Sequence, residues 1–180
     1  MKNVMRYAFL LLLAAGLGSC SLLDIDFETT LSGVLDVEVE EPMAKGMAEW
    51  YPFSSFATID PTDDKEVEKY VDKIVSVGVD GVIATVDSVS TGGIIFKSGT
   101  TFSIYDDEDT VSWPIPKDWL IEPDDFLMLE DLHGNYDAVE DILLKMEEFT
   151  IGMVGNSSEA GVLITIRLDV ETTITGNPLE

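Results

Sequence analysis

The chain has 180 residues, with 35 Asp and Glu against 10 Lys and Arg, a formal net charge of −25 at pH 7. That balance excludes routine nucleic-acid binding, which needs cations to neutralise phosphates, and it disfavours docking a protein face on anionic lipid. Hydrophobic residues make up 46%, too many for a disordered chain, and the length suits one domain that buries a core without staples.

Lys2 and Arg6 flank the start of the chain, Ala8 to Ala15 is an apolar run, and Gly16, Gly18 and Ser19 are small residues before Cys20, the only cysteine. A positive end, a short apolar run and a small-residue cleavage site form the pattern of a secretory signal peptide. The run is too short for a membrane-spanning helix of ~20 residues. Residues 1–19 are therefore expected to be removed on export. Leu17-Gly18-Ser19-Cys20 resembles the lipobox of bacterial lipoproteins. The resemblance implies acylation of the Cys20 thiol, cleavage before it and acylation of the new amino terminus. One acyl chain holds a protein only marginally, whereas two or more anchor it stably. Ser21 after the cysteine implies the outer membrane, where aspartate would imply retention at the inner one. Asp24, Asp26 and Glu28 lie close behind, similar to Bacteroidetes lipoproteins in which nearby acids can direct export to the cell surface. Periplasmic and cell-surface facing both stay open. Removing residues 1–19 takes away Lys2 and Arg6 and moves the net charge from −25 to −27. With no second cysteine the mature chain has no intramolecular disulfide, so its fold rests on its core.

Residues 20–29 read as a lipidated tether and 30–176 as one domain, with 177–180 a C-terminal tail. Leu31, Gly33, Leu35, Val37 and Val39 alternate with Ser32, Val34, Asp36, Glu38 and Glu40, the period of a half-buried strand. Glu41-Pro42 ends it, Met43 to Tyr51 is ambiguous, and Phe53 to Ile59 reads as a second strand. Asp60-Pro61-Thr62-Asp63 is a turn into a helix capped by Thr62 or Asp63, with Val67, Tyr70, Val71 and Ile74 on its apolar face. Val75 to Val89 is β-branched, and Gly78 and Gly81 inside it mark a bulge or bend. Ile94 to Phe96 and Thr101 to Tyr105 read as strands around a hairpin-type turn at Lys97 to Thr100. Val111 to Ile115 is a short strand whose prolines, Pro114 and Pro116, suit an edge. Phe126 to Leu129 is another strand. A second helix begins near Asn135, expected as its cap, with Tyr136, Val139, Ile142, Leu143 and Met146 as its stripe. Phe149, Ile151 and Met153 alternate, Gly155 to Gly161 is a loop, and Val162 to Val170 alternate again. That last pair reads as the clearest hairpin in the chain. Many short strands and two short helices predict an all-β fold, an antiparallel β-sandwich, with a jelly roll as one form it can take. In overall pattern the chain resembles small Bacteroidetes lipoproteins with one all-β domain, a family that brings no catalytic residues to carry over.

The chemical motifs are sparse. His133 is the only histidine and no nucleophile motif such as G-x-S-x-G accompanies it, so it reads as a helix-entry residue. The acidic loop supplies Asp106, Asp107 and Asp109 as candidate Ca²⁺ ligands. A contiguous run of acids points in different directions, however, and a second loop (Asp60 to Asp64 or Asp124-Asp125) would have to join. Trp50, Trp113 and Trp119 are candidates to stack on a glycan, with a core role expected for at least two of them. Glycoside hydrolysis needs two carboxyls ~5–10 Å apart in a cleft, and 35 acids single out no pair. Asp87-Ser88-Val89 and Asp109-Thr110-Val111 resemble Bacteroidetes O-glycosylation sites. The expected function is a non-enzymatic binding or structural module, held to the outer membrane by lipid on Cys20, with an envelope protein or glycan as partner and no nucleic acid or cofactor. The alternatives are a carboxylate-dependent hydrolase acting on glycans and a Ca²⁺-stabilised adhesive or structural module.

Overall fold

A computed structural model describes residues 24–41 and 49–177. The expected signal peptide (residues 1–19), Cys20 and the residues up to 23, residues 42–48 and the tail residues 178–180 lie outside the described residues. Among the described residues ten strands form: β1 (Ile25–Val39), β2 (Tyr51–Ile59), β3 (Ile74–Val89), β4 (Ile94–Phe96), β5 (Thr101–Tyr105), β6 (Thr110–Pro114), β7 (Trp119–Ile121), β8 (Phe126–Met128), β9 (Phe149–Ser157) and β10 (Val162–Gly176). Helices α1 (Lys65–Tyr70) and α2 (Asn135–Leu144) interrupt them.

The strands make two antiparallel sheets. One has the order β1-β10-β3-β8; in the other, β9 takes β2 on one side and both β5 and β4 on the other, with β6 beyond β5 and β7 beyond β4. If β4 and β5 are counted as one interrupted strand and β7 is set aside, the eight remaining strands lie in the orders 1-8-3-6 and 2-7-4-5. This is the jelly-roll form of the β-sandwich, as the predicted fold class allowed. The core lies between the sheets, where Leu35, Val37, Ile164, Ile166 and Leu168 of one face Phe102, Ile104, Ile151 and Met153 of the other.

That topology overturns two expected hairpins. β9 and β10 do not pair: β9 belongs to one sheet and β10 to the other. Alternation shows that a strand has one buried face, not which sheet it joins. Ser158 to Gly161, with Gly161 at φ +68°, carries the chain across the ~10 Å gap between packed sheets. The apolar faces of β9 and β10 then meet across the core instead of lying side by side. β4 and β5 do not pair either. Phe96 lies opposite Ser157 and Thr101 opposite Val154, so both run antiparallel to the same edge of β9. Lys97 to Thr100 is a jog in one strand, closed by the Thr100 amide on the Lys97 carbonyl at 3.0 Å, with Gly99 at φ +89°.

Other expectations move by a few residues. β1 starts at Ile25, and Ile25 to Thr29 pair with Gly176 to Thr172, so residues 25–29 are strand and not tether. The bend in β3 is a bulge at Asp80, between Val79 opposite Thr172 and Gly81 opposite Glu171. β6 is an edge strand, as its prolines suggest. β7 was not legible; its three residues pair only with β4. The α1 cap is Asp64, whose carboxylate accepts the Glu66 and Val67 amides at 2.8 and 3.1 Å, and not Thr62 or Asp63. The other Asp64 oxygen accepts the Thr29 hydroxyl at 2.8 Å, tying the helix to β1. Asn135 is the first residue of α2 rather than its cap. Gly134 holds the cap position at φ +81°, and Asp131 accepts the Tyr136 amide at 3.1 Å.

The helices answer a mismatch in strand length. β1, β3 and β10 have 15 or 16 residues against nine for β2 and β9. One sheet therefore overhangs the other, and α2 packs on the overhang through Val139, Ile142 and Leu143. Glu140 reaches the bulge and accepts the Val79 amide at 2.9 Å, supplying an acceptor where the ladder is interrupted.

Candidate functional site

The acidic loop between β5 and β6 is more ordered than a run of acids suggests. Asp106 Oδ1 accepts the amides of Glu108 and Asp109 at 2.8 and 2.7 Å, folding the loop back on itself. Asp106, Glu108 and Asp109 then converge on one point, contrary to the expectation that contiguous acids diverge. That point is occupied by the Lys145 ammonium, at 2.6, 3.2 and 3.0 Å from the three carboxylates. Asp107 takes no part in this set and is exposed. The lysine bond, followed by the amides of Asp109 and Glu108, holds Asp106 down at about 2. The same bonds, that from Asp106 first and Asp109 next, raise the Lys145 ammonium above its ordinary value.

The loop is thus an ion-paired latch from the end of α2 to the β5–β6 hairpin. Asp60 and Asp64, the expected second loop, spend their carboxylates on the Thr62 amide and the α1 amides. Among the described residues no group of His, Cys, Asp or Glu is arranged to hold a metal ion.

The latch has a calculable pH signature. A carboxyl depressed in the folded state stabilises the fold above its ordinary value of 3.8 and loses that contribution as pH falls toward about 2. Lys145→Met should therefore lower the urea midpoint by the same amount from pH 5 to 9. The gap from the parent should close between pH 4 and pH 2. A gap that stayed constant down to pH 2 would mean that the lysine acts through packing and not through Asp106.

The tryptophans do not form a common platform. Trp113 is buried and its indole N–H donates to the Glu130 carbonyl at 3.1 Å. Trp119 packs on the core, 6.2 Å from the Phe96 ring and 6.4 Å from Phe102. Only Trp50 stands at the margin, half-buried, with Lys97 Nζ 5.0 Å from its ring centroid. His133 is exposed at φ +63°, next to left-handed Gly134, where the chain turns into α2. Ser88 and Thr110 are both exposed strand-end residues.

Sequence reasoning missed an apolar groove. Where β6 and β8 form the edges of their sheets, a groove of about 450 Å³ opens between them. Trp113, Pro114 and Ile115 line one wall, and Leu127, Met128 and Leu132 the other. Met128 is 56% and Leu132 50% exposed, a high value for large apolar side chains. The available signal was a short apolar run, Phe126 to Met128, whose side chains point to both faces of a strand.

No known family matches the chain, and no curated protein matches it. Among solved structures, a decameric BFDV capsid protein is similar at a TM-score of 0.46 and 9% identity, over 83% of this chain and 99% of that one.

Proposed function

We propose that the chain is a lipid-anchored module of a bacterial outer membrane, one that binds a partner protein and carries out no reaction of its own. The observation that supports this most is the short distance from Cys20 to β1. The strand begins at Ile25, five residues on, so the link reaches at most ~18 Å. Lipid on Cys20 would hold the Ile25 and Gly176 end of the sandwich at the membrane. β8 pairs with Thr85, and Thr85 with Arg167, so the apolar groove lies roughly 30 Å along β10 from that end. It would face away from the lipid, toward a partner. The placement of Trp113 and Trp119 in and against the core favours a protein over a glycan. Asp106, among the described residues the carboxyl farthest from its ordinary value, is pulled down and held by a lysine, the opposite of what a general acid needs.

Cys20→Ala should move the protein from the membrane fraction to the soluble fraction and abolish incorporation of an alkyne-tagged fatty acid. Retention of the variant in washed membranes would overturn the anchoring.

A further inference from the structure

We propose that the groove between β6 and β8 receives a short segment of a partner protein in which apolar residues are flanked by lysines or arginines; this rests on the binding-module reading above. The lining is apolar, and Trp113, Ile115 and Leu129 in it are buried. Exposed Met128 and Leu132 stand at its opening, and Phe126, 66% exposed, extends the apolar surface along β8. Contiguous apolar surface rimmed by polar groups marks an interaction site.

The chemistry of the occupant follows from the rim. Glu130 lines the groove, and Glu122, Asp124, Asp125 and Asp131 flank β8 in the chain without a lysine or arginine among residues 118–144. One cation, Lys117, follows Pro116 on the other side. Glu130 in the lining, with these acids next to β8 in the chain, attracts cations and repels acids. A second copy would bring the same acids and a net charge near −27, so self-association through this face is opposed. A glycan would leave hydroxyls facing leucine, methionine and tryptophan without partners. Pro114 and Pro116 in the β6 wall lack amide donors, so the segment is held by side chains entering the groove rather than by extending the β6 ladder.

The test titrates the full lipidated chain, in a non-ionic detergent, with a labelled heptapeptide of two leucines flanked by lysines. Binding is expected, weakening with salt, and falling at least tenfold when Met128→Ser and Leu132→Ser are combined. Phe56→Ser with Val154→Ser, exposed on the other sheet, should leave it unchanged. The proposal is overturned if both pairs of substitutions act alike, if a peptide with serines for the leucines binds as well, or if the groove pair instead dissociates a dimer. A photo-crosslinker placed at Leu132 or at Phe56 in cells separates the two levels of the argument. Adducts at Phe56 alone would leave the binding reading standing and remove the groove. Adducts at neither position would remove both.

Discussion

Phe102→Ala should cost about 3–5 kcal/mol of unfolding free energy, the range for truncating a fully buried phenylalanine. Phe102 has no solvent exposure. It lies in β5 opposite Met153 of β9 and Trp113 of β6, with the Trp119 ring 6.4 Å away. These neighbours belong to three strands of one sheet, and the sheet is held in place by the opposite one. The cavity left by the ring therefore cannot close by the movement of one side chain. A domain of this size is stable by about 5–15 kcal/mol, so the loss is a large fraction of the total. Urea denaturation should show it as a lower midpoint with an unchanged slope. Phe126→Ala is the matched control. The same ring is removed from a position 66% exposed, and the change should stay within about 0.5 kcal/mol. A loss at Phe126 comparable with that at Phe102 would mean that the β8 edge is covered.

The contrast between these two phenylalanines also marks what could be read from the residues. Phe102 and Ile104 alternate with Ser103 and Tyr105, and the buried face follows from that pattern. In the same way the long alternations of β1 and β10 placed Leu35, Val37, Ile164 and Ile166 in the core. Phe126 sits in a three-residue strand, too short for a period to show. Pairing was the part that could not be read. A strand's period is a property of its own residues, whereas its neighbours are chosen by inter-sheet packing far away in the chain. That is why β9 and β10 were expected as a hairpin and instead became the central strands of opposite sheets.

The candidate sites divide along the same line. Asp106 and Asp109 were legible as acids, but Lys145, which neutralises them, lies 36 or more residues away. Nothing in the loop announces it. The groove is less legible still, because its walls come from β6 and β8, strands of different sheets. The expected lipid-attachment motif is the opposite case: the chemistry proposed for it is local to Leu17 through Cys20, so a linear reading suffices to state the expectation.

Gly155→Ala should be the most damaging addition of a single methyl group, costing about 1–3 kcal/mol or more as overpacking. A Cβ at Gly155 would lie 2.3 Å from Thr100 Oγ1, 2.6 Å from Cγ2 and 2.8 Å from Cβ. The first two atoms can rotate away. The third cannot, because its position is set by the backbone. Thr100 is itself buried, at 1% exposure, and it closes the jog between β4 and β5 through its amide. Relief therefore requires moving the jog, which would strain two strands that share the β9 edge. Gly33 offers a comparison: a Cβ there meets the Ile151 and Ile59 side chains at 2.5 and 2.9 Å, but these are terminal methyl groups that can turn. Gly155→Ala should accordingly cost more than Gly33→Ala. The mechanism predicts a specific coupling with Thr100→Gly, which removes all three clashing atoms. The double variant should be more stable than the sum of the two single losses, by an amount within the 0.5–3 kcal/mol range seen for residues in contact. Strict additivity would show that the jog is not what limits the space at Gly155. The interrupted-strand account of β4 and β5 would then lose its energetic support.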